Sequence, residues 1–484
     1  MNTGSSFTTT ATFIFLLGLL AAGCRNTETA SQMDTPQPTA ASVYADAIGS
    51  ARFERSAVKV EQGYTVESGN LYTRDGETGS LVVVRSPDGA VTSIIDEPGK
   101  RGLLVVDTKG KSTFTEEPAY DYLTPDALDS KDSEPAAKQG AIKAGEHQYI
   151  DMLVAYSAAA FARLNTDPVA YALAQLETAN LGLRNSLVAD LSLRLAAVNV
   201  FDVDYGMTDD GIFAWQTKLS PYRRLYSSDV NAVYIEGGGG LAYVGGYTSV
   251  NGRSSPEAFR HEIGHNVGGS HCNNNPARYS FGYHNGKSQT YLCGNKVPYY
   301  STPAVRDAHG LPLGDAQTAD MARVWRENGA WLSGFHPELP GLRMMLVSSS
   351  GEDAYAFATL NIPVTLAENA AIVALSESVG PTSMIPSSSN NTKTTLSARL
   401  LNAKGKEVTV QFRAQRRRAS CLTEINVSNM CAGFPLHLEI KYYPQFGSNA
   451  SLPRGYYNGL LKLEARSSDS NWKMPINIAV SIRK

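Results

Sequence analysis

Residues 261–271, His-Glu-Ile-Gly-His-Asn-Val-Gly-Gly-Ser-His, constrain this chain more than any other stretch. On a helix, His261 and His265 lie four apart and project from one face toward one point. Glu262 stands one residue along, where its carboxylate reaches a water held at that point without being a ligand itself. Gly268 lets the backbone leave the helix through a conformation that a Cβ resists. The chain then turns back and delivers His271 as a third nitrogen. Three imidazoles leave one corner of a tetrahedral zinc ion open for water, which a catalytic site requires. A helical histidine pair alone is more often surface or core decoration. The glycine and the third histidine at fixed spacing make that bland reading far rarer.

At 484 residues the chain exceeds one compact core, so several domains are expected. The net charge is −3, and no basic run or stripe is long enough to make nucleic acid a partner. Residues 13–23 (FIFLLGLLAAG) form an apolar run too short to cross a bilayer and of signal-peptide length. They end at Cys24. Residues 20–24 (LAAGC) resemble a bacterial lipobox, in which the cysteine is lipidated and becomes the first mature residue. Ala21 stands where leucine is usual, and residues 1–12 lack the usual Lys or Arg. The expectation is a signal peptide at 1–23 and attachment to the bacterial cell envelope through lipid on Cys24, with secretion as the alternative.

Four other cysteines remain. An even count in an exported chain favours disulfides, and proximity pairs Cys272 with Cys293 and Cys421 with Cys431. Cys272 abuts His271, but a thiolate ligand would close a site that three histidines leave open, so the disulfide is preferred. A structural calcium ion is not indicated.

Residues 24–50 are polar and read as a tether. Short alternating apolar runs at 57–60, 81–84, 91–95 and 103–106, separated by turn signals, predict a small β domain over 51–125. Residues 126–147 (DALDSKDSEPAAKQGAIKAGEH) read as a second polar linker, open to proteolysis. An α/β pattern fills 148–338. Its strands fall near 149–156, 191–203, 231–235 and 241–244. A helix over 168–187 carries Ala172, Leu176, Ala179 and Leu183 on one stripe. Pro256 suits the first turn of the helix bearing the histidines. Residues 340–484 hold apolar runs at 362–366, 408–412, 436–440 and 476–480, which predict a β-sandwich. The run Arg416-Arg417-Arg418 reads as a solvated loop interrupting it.

Residues 148–336 resemble the catalytic domain of reprolysin-like (adamalysin-type) metzincins, especially bacterial secreted or lipoprotein members. The histidine motif carries the likeness most specifically. Residues 151–156, 177–183 (ETANLGL) and 297–303 (VPYYSTP), then 311–314 and 319–323 (ADMAR), are weaker matches. The resemblance implies an α/β (α+β) catalytic domain with a twisted mixed sheet and a zinc-binding helix. A pro-like β domain would precede it and a β-sandwich would follow. It implies a zinc endopeptidase with His261, His265 and His271 as ligands and Glu262 as general base. Gly240, Leu241, Ala242 and Tyr243 would form the edge strand that pairs with a protein or peptide substrate, and Tyr299 or Tyr300 could approach the oxyanion.

Two residues depart from that pattern. Leu292 stands where these enzymes carry the methionine of a tight turn beneath the metal; its volume and apolarity suit the same floor. Cys272 replaces a supporting aspartate, so another brace, such as the disulfide, must act there. Residues 25–146 contain no cysteine, which excludes a cysteine from that region capping the metal. Either another group, such as an aspartate, caps it, or the front domain assists folding without imposing latency. The competing reading is an envelope-anchored binding or adhesin lipoprotein with an inactive peptidase domain. A zinc hydrolase acting on something other than peptide is a further rival.

Overall fold

The computed structural model describes residues 51–61, 63–118, 120–122, 126–129, 147–272, 277–339, 342–347, 357–362, 370–374, 384–385, 393–418, 436–467 and 473–484. The expected signal peptide and tether, Cys24, Cys421, Cys431 and most of the expected linker lie outside them.

The alternating runs of the first domain form six strands: β1 (Arg52–Glu61), β2 (Tyr64–Tyr72), β3 (Thr78–Arg85), β4 (Val91–Glu97), β5 (Lys100–Val106) and β6 (Ser112–Glu116). They pair in sequence order as an antiparallel meander. Beyond it come β7 (Ala127–Asp129), β8 (Gln148–Ser157), α1 (Ala158–Ala162), α2 (Pro168–Asn185), β9 (Leu191–Phe201), α3 (Asp209–Tyr226), β10 (Val230–Ile235), β11 (Gly240–Val244) and β12 (Thr248–Gly252). Helix α4 (Ala258–Asn266), strands β13 (Ser270–Cys272) and β14 (Phe281–Gly282), and α5 (Met321–Leu332) complete the middle of the chain.

The central sheet runs β7-β11-β12-β10-β8-β9. β12, β10, β8 and β9 are parallel to one another, while β11 is antiparallel to β12. β7 pairs with the outer edge of β11, parallel to it. This strand lies inside the segment expected to be linker.

Helix α2 explains how the first two sheets join. Its sequence shows an apolar stripe, yet every residue from Pro168 to Leu183 is buried. One face meets the central sheet. The other is covered by the N-terminal meander, whose Val66, Val82, Val84, Ile94 and Leu103 belong to the same hydrophobic core as Ala172, Leu176 and Leu183. A helix buried on all sides must satisfy its polar groups internally. Asp167 caps its first turn through Val169 N at 2.8 Å and also accepts from Tyr64 Oη of β2 at 2.8 Å. Glu177 accepts from Ser68 Oγ of β2 at 2.6 Å and from Arg184 at 2.6 Å, and it lies 3.3 Å from Lys59 Nζ of β1.

The C-terminal region is one curled nine-stranded sheet rather than the two facing sheets of the expected sandwich. Its first strand, Leu342–Val347, runs parallel to the last, Lys473–Arg483. Arg416, Arg417 and Arg418 do not interrupt the sheet. They continue the strand Glu407–Arg418 and pair with Leu438, His437 and Leu436. The curled sheet packs against β9: Ser481 Oγ accepts from Val200 N at 3.1 Å, and Tyr226 Oη of α3 donates to Val480 O at 3.3 Å.

Replacing Glu177 with alanine should lower stability by about 2–3 kcal/mol in urea unfolding, below the value for fully enclosed pairs because Lys59 and Arg184 are partly exposed. Burial alone would raise the Glu177 pKa, but Lys59 and Arg184 hold it below its ordinary 4.5. Its folded pKa therefore lies under its unfolded one. The stabilisation is present above pH 4.5 and is lost as pH falls through the folded value, a loss the alanine variant should not show.

Candidate metal centre

Helix α4 delivers His261 and His265 one turn apart, both fully buried. The helix stops where Gly268 takes φ +109°, and Gly268 N and Gly269 N return to His265 O and Gly264 O. β13 then carries His271 back against the other two. The Cys272–Cys293 disulfide ties that strand to the turn beneath the site. Gly269 O sits 2.9 Å from His265 Nδ1, which leaves Nε2 of that ring to face the centre.

A fourth group meets the three imidazoles: Asp126, the residue before β7. Its carboxylate oxygens lie 2.8 Å from His271 Nε2, 3.3 Å from His265 Nε2 and 3.5 Å from His261 Nε2, and the His261 and His271 nitrogens are 3.2 Å apart. Bonds of 2.0–2.1 Å from one tetrahedral ion give ligand-to-ligand edges of about 3.3 Å. Both Asp126 oxygens and His265 Nε2 are buried without a directed hydrogen bond. Buried acceptors at tetrahedral spacing and without donors are what a cation satisfies, so this His3Asp group fits a metal ion. Burial would raise the Asp126 carboxyl, but the three histidines against it hold it below the usual carboxylate range. Burial pushes His261 down to about 4, toward the neutral form a ligand needs.

Glu262 is fully buried beside the ligands, and neither carboxylate oxygen has a hydrogen-bond partner among the described residues. Burial, with Asp126 nearby, pushes its pKa well up. Its neighbour is the start of β11: a Cβ at Gly240 would fall 2.0 Å from Glu262 Oε1. Gly240 thus makes room for Glu262. Leu241, Ala242 and Tyr243 run along the sheet edge, where Ala242 N donates to Asp126 O at 2.9 Å. Asn266 ties α4 to that edge, donating to Tyr243 O at 3.0 Å and Thr248 O at 3.1 Å.

The floor is built by Leu292 together with Met321 of α5. Leu292 is fully buried, with φ +68°. Its side chain lies against Gly264 and, with Met321 Cε, against Gly269, where no Cβ would fit. Tyr300 is not free to act at the centre. It is buried behind α4, donates to Arg260 O at 2.8 Å and packs against Tyr291 and Trp325. Tyr299 lines a cleft toward the N-terminal sheet, near Arg101 and Lys296.

The segment ahead of Asp126 also enters the cleft. Tyr122 packs its ring 5.4 Å from that of His261 and donates to Glu117 Oε1 at 2.6 Å, while Tyr120 covers Gly239. Burial raises the Glu117 carboxyl to about 7. Nothing local in the sequence marks Asp126 among the neighbouring aspartates Asp121 and Asp129. The missing cysteine of the front region was the one pointer to a capping carboxylate.

No family model matches the chain, and no characterised relative matches it in sequence. Among solved structures, a chaperone–substrate complex is 20% identical over 53% of this chain and 42% of that chain, at TM-score 0.36. Metalloproteinase-II from Bacteroides fragilis is 11% identical over 51% of this chain and 82% of that chain, at TM-score 0.32. A chaperone–tip adhesin complex of CFA/I fimbriae biogenesis is 14% identical over 31% of this chain and 55% of that chain, at TM-score 0.24. This chain thus spans less than half of the first structure and about half of the third. Such scores describe partial likeness of shape, and the chemistry of the site rests on its own atoms.

Elemental analysis of the purified chain should find one tightly held transition metal, lost in His265→Ala. Gly240→Ala should keep the metal yet cost about 1–3 kcal/mol of stability, because the new methyl group must displace Glu262.

Proposed function

We propose that this protein is a zinc-dependent endopeptidase held in a latent form by its own Asp126. The observation that carries the reading is the convergence of His261, His265, His271 and Asp126 on one point, with the unpartnered Glu262 carboxyl beside it. Three imidazoles are protein ligands of a catalytic zinc, and Asp126 fills the corner where water must stand. A bound zinc ion supplies Lewis acidity to that water and to the scissile carbonyl. Once Asp126 withdraws and water enters, Glu262 is relieved of the burial and, secondarily, of the neighbouring charge that together push its carboxyl up, and it can accept the proton of the attacking water. It then passes that proton to the leaving amine. The edge of β11 vacated by β7 offers backbone donors and acceptors to an extended peptide, which binds as an added strand. Asn266 holds this edge in register with the metal helix.

We also propose export and lipid attachment at Cys24, on the strength of the apolar run that precedes it. The closed four-ligand arrangement suits a purely structural ion as well. That is the form the competing reading takes, an envelope-anchored binding protein without peptidase activity.

The two readings separate on one comparison with a degenerate peptide library. Asp126→Ala in the full chain should cleave at least tenfold faster than the unaltered chain. Glu262→Gln added to it should lower kcat by about 10²–10⁴ while zinc content stays the same. Zinc retained with no cleavage by Asp126→Ala would favour the binding protein. Chelation should silence the active variant, and added zinc should restore it.

A further inference from the structure

The N-terminal meander does more than carry Asp126 to the cleft. Behind the metal helix, Arg260 and Glu257 of the catalytic region are both fully buried. Arg260 donates to Glu257 at 2.8 Å and to Asp96 of β4 at 2.6 Å. Arg101 of β5 closes the ring, with Nε 2.9 Å from Asp96 and Nη1 3.1 Å from Glu257. The same guanidinium donates to the carbonyl oxygens of Asn295 and Lys296 at 3.1 and 3.2 Å. Each side supplies one cation and one anion, and each ion pairs across the boundary. Removing the meander strips Arg260 of one carboxylate and Glu257 of one guanidinium, directly before His261 in sequence.

The other contacts point the same way. The apolar face of the meander shares one core with α2. Glu177 and the capping Asp167 are held by Ser68, Lys59 and Tyr64. Asn185 at the end of α2 exchanges side-chain hydrogen bonds with Asn70 of β2 at 2.8 and 3.2 Å. By contrast, β6 is an edge strand with four of its five residues exposed, and β7 is three residues long. Of the described residues between them, Glu117, Tyr120 and Tyr122 are not part of the shared core, and of β7 only Leu128 packs against it.

We propose that the N-terminal sheet, residues 51–116, is a permanent partner of the catalytic region. When the chain is cut between Asp129 and His147, the sheet stays docked on α2 and behind the metal helix, and only the segment that follows β6 leaves the cleft. The working protein is then a two-chain complex. The inference rests on the latency reading in one respect, that the segment bearing Asp126 is the part that must leave.

The test replaces part of residues 130–146 with the recognition sequence of a specific protease and cuts the full-length protein. Size exclusion at about 0.15 M and about 1 M salt, with mass spectrometry of the peaks, reads the outcome without reference to activity. Co-elution of both fragments at both salt concentrations is the expected result. Fragments that elute apart, whether or not the larger one stays soluble, would overturn the proposal. Asp96→Asn with Arg101→Gln, both on the smaller fragment, should raise the dissociation constant of the cut complex at least tenfold. An unchanged constant would remove the ion ring from the explanation. If Asp126→Ala shows no peptidase activity while the fragments co-elute, latency fails and the permanent layer stands; the opposite pair of results separates them the other way.

Discussion

Four side chains bring ring nitrogens and carboxylate oxygens to one point, where both Asp126 oxygens and His265 Nε2 have no hydrogen-bond partner among the described residues, and much of the surrounding architecture keeps them there. Left to themselves, a desolvated carboxylate and neutral imidazoles would draw in water or move apart. The chain prevents this with several independent constraints. The helical spacing fixes two rings, and a glycine in a left-handed conformation returns the third. The disulfide anchors the return strand, and a backbone hydrogen bond from Ala242 sets the height of Asp126. Preorganisation of this kind moves the cost of gathering ligands from metal binding to folding.

The two edges of the central sheet are protected in different ways. An unpaired edge is a template for another strand, so proteins cover it. At β9 the cover is the C-terminal sheet, held through Ser481 and the fully buried Asn458 near Val200. At β11 the cover is β7, three residues long. The broad cover lies at the opposite edge of the sheet from the His3Asp group and the slight one beside that group. In the proposed peptidase this asymmetry decides which edge a substrate can take.

What the sequence makes legible follows from the range of the interactions involved. His261, Glu262, His265 and Gly268 lie within one helix and its cap, so their spacing alone predicts their placement. Most strands of the first two regions are readable because alternation is local, and the Cys272–Cys293 pairing follows from proximity. Asp126 is different. It becomes a ligand candidate only when a meander some sixty residues long folds back on α2, and no periodicity records that event. The same holds for α2, whose single stripe understates its burial because the second covering layer comes from another part of the chain. Arg416–Arg418 misled for the opposite reason: a charge run looks like a loop, yet strand pairing with Leu436–Leu438 overrides composition. Leu292 is read correctly as floor, while the help it receives from Met321 depends on how α5 packs.

The metal helix is gripped from both sides by the same N-terminal region, and the two grips are connected. In front, Asp126 meets His261, and Tyr122 lies on that ring with its hydroxyl on Glu117. Behind, Asp96 and Arg101 pair with Arg260 and Glu257, and Glu117 N donates to Arg101 O. A carboxylate ligand held by one short strand would be a weak latch if it hung on a free tail. Mounted on a sheet that shares a core with α2, it is presented to the histidines at high local concentration and competes well with water for the fourth corner. Cutting the chain after Asp129 removes its second tether, through β8, and leaves the segment as a tail attached only through β6, which lowers that concentration. In the proposed enzyme the intact linker therefore favours latency, and the cut shifts the balance toward an open cleft while the docked sheet stays in place.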